Sequence, residues 1–250
     1  KPYTKLLVVI DDLIRPHFCD IFINQNYYMT KPSYQNLLNS MLKDNTVKLL
    51  GPNFALLREE FSKYREQVLN NKKYKTINKM MISFGGSATK NAPLTILNSL
   101  LEISKYKDIN YIVVIGKSYQ AISKLSNIIK THKNVKIYID TNKMAQLMTK
   151  ADIMIGACGS TIWEQWCLGL PGIIFTTAEN QILNAEALYK DGYIKYLGLI
   201  ENFKSAIFQE ELKNIENTNT RKQLVTKSLN LVDGYGCNYI FKHIINFLHN

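Results

Sequence analysis

The sequence predicts an α/β protein built from doubly wound parallel sheets. Three observations carry this: short continuous apolar runs, amphipathic stretches between them, and connections of only a few residues. Strands buried on both faces read as unbroken apolar runs, because neither side of the pleat meets water. Lys5–Ile10 and Asp20–Asn24 have this character near the start. Met80–Phe84, Tyr111–Ile115, Val135–Ile139, Asp152–Ile155, Gly172–Thr176 and Tyr193–Leu197 repeat it further along. Between them Pro93–Lys105 places Leu94, Ile96, Leu97, Leu100, Leu101 and Ile103 at helical spacing, and Pro93 suits a first helical turn. Met144–Met148, Thr161–Leu168 and Leu183–Leu188 read as further crossover helices.

The strands are unevenly distributed. About 70 residues at the front hold two strands, too few for a sheet covered on both faces, whereas the part from Met80 has enough for a whole domain. Lys63–Lys79 is charged, Asn-rich and poor in apolar residues, as a linker would be. The expected division is therefore 1–70 as the remnant of a first domain, 75–232 as a complete second domain, and 233–250 as a C-terminal helix packing back toward the first. On this reading the front of the first domain lies outside the sequence.

Composition narrows the function. The 250 residues are 46% hydrophobic, enough for a substantial core. The net charge of +11 comes from 31 basic residues, of which 27 are Lys, scattered without a run of five. That distribution describes a solvated surface, or else attraction for an anionic ligand, and not a nucleic-acid footprint. The four cysteines (Cys19, Cys158, Cys167 and Cys237) form no Cys-x-x-Cys pair, so neither a zinc nor a redox motif is present, and reduced thiols in a cytoplasmic protein are expected. No apolar run approaches the ~20 residues that span a bilayer. The expected partner is a small molecule, with no nucleic acid, no membrane and no metal.

Three segments at strand ends could carry chemistry. Ser83-Phe84-Gly85-Gly86-Ser87 follows a strand, and glycines there let backbone N–H groups approach phosphate oxygens. The pair also fits a plain strand-to-helix turn, since it has neither a Walker lysine nor Gly-x-Gly-x-x-Gly spacing. Gly156-Ala157-Cys158-Gly159-Ser160-Thr161-Ile162-Trp163-Glu164 repeats the arrangement. Thr161 and Glu164 have capping-box spacing, so Glu164 either caps its own helix or accepts hydrogen bonds from a ribose diol while Gly159, Ser160 and Thr161 face a diphosphate. Glu179-Asn180-Gln181 follows a third strand and is either a polar loop or a reader of ribose, base or sugar. Ligands of parallel sheets bind at the strands' carboxyl ends, which is where all three segments fall. A fourth cluster, Asp11, Asp12, His17 and Asp20, matches no metal spacing; Asp-Asp after a strand commonly caps a turn, and His17 satisfies a carbonyl as readily as it catalyses.

The run Ile10-Asp11-Asp12-Leu13, Arg15, His17, Cys19-Asp20 and Asn24-Gln25-Asn26, followed by Leu50-Gly51-Pro52-Asn53-Phe54-Ala55-Leu56-Leu57-Arg58-Glu59-Glu60-Phe61, resembles the UDP-2,4-diacetamido-2,4,6-trideoxy-β-L-altropyranose hydrolases of pseudaminic acid biosynthesis. The resemblance continues through Ile82–Ser87, Ala157–Glu164, Cys167–Pro171, Glu179–Gln181 and Asn184–Leu188. Its C-terminal motifs are shared with GT-B UDP-sugar glycosyltransferases. It implies a GT-B-like pair of Rossmann-type domains, the first incomplete in this chain, with the active site between them. It also implies metal-independent attack by water at the anomeric carbon with inversion, releasing UDP, and no cofactor. By position, Gly85, Gly86 and Ser87 would face the cleft, Ser160 and Thr161 the diphosphate, Glu164 the ribose, and Asn180 and Gln181 the sugar or diphosphate. The family's catalytic His belongs to a Gly-x-Gly-His segment that no stretch of this chain matches, and His17, in a different motif, does not inherit its role. A UDP-sugar glycosyltransferase and a non-catalytic nucleotide-binding or interaction module are the rival functions.

Overall fold

The computed structural model describes residues 4–71, 76–86 and 91–249. It contains two parallel sheets. Val8–Ile10 (β1), Ile21–Asn24 (β2) and Val47–Leu50 (β3) form the first, in the order β1-β2-β3. The second has six strands: Lys79–Ser83 (β4), Asn110–Ile115 (β5), Val135–Ile139 (β6), Ile153–Ala157 (β7), Gly172–Thr176 (β8) and Lys195–Leu199 (β9). Their order is β6-β5-β4-β7-β8-β9, the arrangement in which two half-sheets grow outward from a shared centre.

The unbroken apolar runs do what their pattern requires. β7 and β8 are buried at every residue. Met80, Ile82, Val113, Ile115, Ile155 and Phe175 point to one face, under Ala92–Glu102 (α3), Ile122–Thr131 (α4) and Ser205–Glu216 (α8). Met81, Ile112, Val114, Met154 and Ile174 point to the other, under Met144–Met148 (α5), Thr161–Cys167 (α6) and Ile182–Lys190 (α7). This is the period-2 alternation of a strand serving two cores at once. Thr218–Leu231 (α9) packs on α6 and α8.

The front of the chain departs from the sequence reading twice. β3 was not expected, because the four-residue run is interrupted by Lys48, whose ammonium reaches Asn39 Oδ1 from an edge strand. The first half of the segment read as a linker is helical: Glu59–Asn71 (α2) runs through it. Phe61, Tyr64 and Val68 form a narrow stripe, spaced three and four residues apart, that packs into the core beneath α5 to α7. Three apolar positions among Lys, Glu, Gln and Asn are easily missed, yet Phe61 is fully buried. Pro32–Asn39 (α1) connects β2 toward β3.

Arg65 of α2 secures this packing. Its Nη1 donates to Cys167 O at 2.8 Å and Val232 O at 2.9 Å, and its Nη2 to Leu229 O at 2.8 Å. These carbonyls lie at or beyond the C-terminal ends of α6 and α9, where helices leave acceptors unsatisfied. Gly236–His249 (α10) then returns to the first sheet, where Ile240 packs with Ile21, Ile23 and Leu49. No helix among the described residues is long and apolar enough to cross a membrane.

Because three carbonyls depend on one planar cation, Arg65→Ala is expected to cost about 2–4 kcal/mol in urea unfolding. Arg65→Lys should recover only part of it, since an ammonium cannot span all three acceptors.

Candidate functional site

In the six-stranded sheet the chain leaves β4 toward β5 on one side, while β7 leads to β8 on the other. The connections diverge at the β4–β7 pair, which makes the carboxyl ends of these two strands the topological switch point, the place where sheets of this kind leave a ligand crevice. Ser83 pairs with Gly156 at the top of this pair, and a Cβ on Gly156 would lie 2.4 Å from Ser83 O. Glycine is required here by the close approach of the strands.

Two of the sequence-predicted segments leave from this pair. After β4 the chain passes through Gly85, at φ +85°, and Gly86. Among the described residues no heavy atom lies within 4 Å of a Cβ built on either. Behind them, at the end of β5, Gly116 is so close that its Cβ would be 2.5 Å from Gly86 O, and Ser118 Oγ donates to the same oxygen at 3.3 Å. Ser87 lies outside the described residues. After β7 come Gly159 and the exposed Ser160, which is the N-cap of α6, and Thr161 is its first helical residue.

The third segment leaves β8, beside β7. Gln181 Oε1 accepts from Thr177 N at 2.9 Å, and its Nε2 stands 3.5 Å from where a Cβ on Gly159 would be. Asn180 Nδ2 donates to Asp12 Oδ2 at 3.1 Å, joining this edge to the loop after β1. Gly85, Gly86, Gly159, Ser160, Thr161, Asn180 and Gln181 thus occupy the carboxyl-end edge of three adjacent strands.

Glu164 does not cap its helix. With Ser160 as N-cap, Glu164 is the fourth helical residue, one past the position a capping box uses, and no side chain caps this end. Its Oε1 is instead 3.5 Å from Arg58 Nη2, with one fifth of the side chain exposed. Burial pushes its carboxyl up to about 7, against the pull of the Arg58 cation and with a further push from Glu60. A carboxyl at such a value gains most from a ligand that hydrogen-bonds its charged form.

Of Asp11, Asp12, His17 and Asp20, only Asp11 and His17 come together, within the first sheet's own loop. Asp11 Oδ1 accepts from Leu13 N at 3.0 Å, while Oδ2 takes His17 Nε2 at 2.6 Å and Arg15 Nε at 2.5 Å. Asp11, not a carbonyl, satisfies His17, whose ring packs on Phe22 and borders an outer groove with Ser40 and Lys43. Asp20 accepts from Leu7 N at the sheet's opposite end. Among the described residues no three His, Cys, Asp or Glu side chains are placed to hold a metal ion.

Sequence reasoning passed over Arg58 as a site residue, although it lies in the Gly51–Phe61 stretch that carries the resemblance. It also missed Asn184, whose Oδ1 accepts from Tyr27 N at 2.7 Å while Nδ2 faces Cys158 Sγ at 3.6 Å. Tyr27 OH meets Asp191 Oδ2 at 2.5 Å, and Lys31 pairs with the same carboxylate. These contacts fasten the chain after β2 to α7.

The strand order and the crevice define a GT-B-like α/β protein. The comparison with the solved MurG of Acinetobacter baumannii agrees on the fold, with a TM-score of 0.63 at 12% identity over 96% of this chain and 67% of that one. Residues 60–231 match the glycosyltransferase family 28 C-terminal domain, and the chain belongs to this family. It is 31% identical over 188 residues to the UDP-2,4-diacetamido-2,4,6-trideoxy-β-L-altropyranose hydrolase of Campylobacter jejuni, covering 75% of this chain and 63% of that protein. An uncharacterized protein of Methanocaldococcus jannaschii is 34% identical over 142 residues, which is 56% of this chain and 29% of its own length. The chain therefore spans less than two thirds of either relative.

The Asp11 cluster makes a testable contribution to stability. Burial raises the Asp11 carboxyl, but hydrogen bonds from Arg15, Leu13 N and His17 outweigh it and hold the group below its ordinary 3.8. A depressed carboxyl stabilises the fold above that ordinary value, and the contribution fades as pH falls through it toward the lower folded value. Asp11→Asn should thus be destabilised by on the order of 2 kcal/mol at pH 7. In denaturation curves the gap to wild type should close as pH drops below 3.8.

Proposed function

We propose that the crevice above β4 and β7 binds the UDP portion of a sugar nucleotide. On this reading Gly85 and Gly86 border the cleft, and Gly159, Ser160 and Thr161 lie against the diphosphate. Glu164 accepts hydrogen bonds from the ribose diol, and Asn180 and Gln181 lie near the sugar or diphosphate. The observation that carries it is the convergence of two glycine-bearing strand exits at the sheet's switch point, with Glu164 in the first turn of the helix that follows one of them. The division at 1–70, 75–232 and 233–250 belongs to the same reading, with 75–232 as the UDP-binding domain. So does a cytoplasmic setting, where such substrates are dissolved.

The reaction we infer is hydrolysis of a UDP-linked 2,4-diacetamido-2,4,6-trideoxyhexose, supported by the likeness to the Campylobacter jejuni hydrolase. Water oxygen forms a bond to the anomeric carbon as the bond from that carbon to the β-phosphate oxygen breaks. The electron pair leaves with UDP, the proton shed by the attacking water passes to bulk water, and the configuration inverts. The free sugar would feed nonulosonate synthesis. The chain's residues bind and orient UDP and take up its charge, and the reaction needs no cofactor. The Gly-x-Gly-His segment of the resembling hydrolases has no counterpart in this sequence, and His17, engaged by Asp11, does not take its role.

The match to a glycosyltransferase domain favours transfer to an acceptor as the second reading. Calorimetry with UDP, against CMP and ADP, tests the site: selective UDP binding should weaken about ten- to a hundredfold in Glu164→Ala, or ~1.5–3 kcal/mol. Equal binding of all three nucleotides, or an unchanged variant, would remove the assignment. Release of UDP from the sugar nucleotide in water alone supports hydrolysis, and release only on adding an acceptor supports transfer.

A further inference from the structure

The segment from Gly51 to Glu60 is held rigidly at the meeting of the two sheets. Leu56 N donates to Gln25 Oε1 at 3.1 Å, Cys237 Sγ approaches Leu57 O at 3.5 Å, and Gly236 fits only because it lacks a Cβ that would lie 2.3 Å from Ala55 O. This fixes where Arg58 emerges. Its guanidinium lies 5.3 Å from the Phe61 ring centroid, over a residue that is itself fully buried. From there one nitrogen, Nη2, serves two carboxylates: Glu60 Oε1 at 2.9 Å and Glu164 Oε1 at 3.5 Å.

We propose that Arg58 is a positioning residue of the ribose site, its guanidinium shared between Glu60 and Glu164 so as to keep the Glu164 carboxylate charged and fixed at the crevice. The role rests on the reading of Glu164 as a ribose acceptor. The residue that would touch the nucleotide is Glu164, and Arg58 acts through it. A carboxylate accepts two hydrogen bonds from a diol, whereas its protonated form must give up an acceptor to its own proton. A residue that sets the charge of Glu164 therefore sets the affinity of the site near neutral pH.

The surroundings make Arg58 the group that can do this. Burial favours the neutral acid, Glu60 adds a second negative charge, and Arg58 is the opposing cation. Further along α2, Arg65 is turned to the far end of α6, onto Cys167 O. On α9, which also packs against α6, Lys227 donates to Asp191 O and Arg221 to Ile215 O and Glu216 O. Glu60 competes for the same guanidinium nitrogen, so its removal should act in the opposite sense to removal of Arg58.

The test is an NMR pH titration of the Glu164 side-chain carboxyl, assigned by its loss in Glu164→Gln, run beside uridine binding across the same pH range. Uridine has no phosphate to titrate, so its affinity follows the protein. In the wild type, binding should strengthen as pH rises through about 7, in step with Glu164. Arg58→Gln should move both midpoints up by about one pH unit and weaken uridine binding about fivefold at pH 7. Glu60→Gln should move both down, and Arg58→Lys should restore most of the wild-type position. Half of the Arg58 side chain is exposed, so the variants should fold, which their thermal transitions would confirm.

Carboxyl midpoints that stay in place in both Arg58→Gln and Glu60→Gln would overturn the proposal, as would uridine binding weakened equally at every pH. Carboxyl midpoints that move while uridine binding ignores Glu164→Gln would instead refute the ribose assignment, and the positioning role with it.

Discussion

The pairing of β4 with β7 is the constraint on which the rest of the molecule depends. These strands are some 70 residues apart in sequence, yet they sit side by side at the centre of the six-stranded sheet. With β5 and β6 added on one flank and β8 and β9 on the other, the loops at their carboxyl ends must part. The resulting opening owes nothing to any single side chain and follows from strand order. What the sequence supplies is permission for close approach: Gly156 against Ser83 O, Gly116 against Gly86 O, and Gly85 in a left-handed backbone conformation.

The second structural theme is that the two sheets are not joined by a loose tether. The helix α2 follows the first sheet in the chain but buries Phe61 beneath the second, and α10 returns from the second to cover the first. Asn184, Asp191 and Asn180 add polar contacts to Tyr27, Lys31 and Asp12. Of these, the Asn180–Asp12 contact lies at the carboxyl-end edge of β8, beside the candidate site, while those to Asp191 lie at the far end of α7. Asp12, weighed at first for catalysis with its neighbours, belongs to this joint.

Much of the second sheet was legible because its strands are buried on both faces and must be written as unbroken apolar runs. Gly172–Thr176 appears in the sequence as it does in the structure. The glycine-bearing exits were visible for a related reason, since small residues directly after such runs have few other uses. Less was legible where the decisive contact is non-local. Nothing in a linear reading places β4 beside β7, or Arg58 beside a carboxylate 106 positions later. Two local readings also missed by small margins. The Thr161–Glu164 pair has the right spacing for a capping box, but the helix begins one residue earlier in register than that box requires. The charged stretch after Phe61 has a linker's composition, yet Tyr64 and Val68 stand at helical spacing from Phe61 and pack with it against the core.

The most direct test of the account is a crystal structure of this chain with UDP bound. The account predicts the diphosphate in the crevice between the exits of β4 and β7, with both ribose hydroxyls within hydrogen-bonding distance of Glu164. UDP bound elsewhere, or seated in the crevice with its ribose turned away from Glu164, would contradict it.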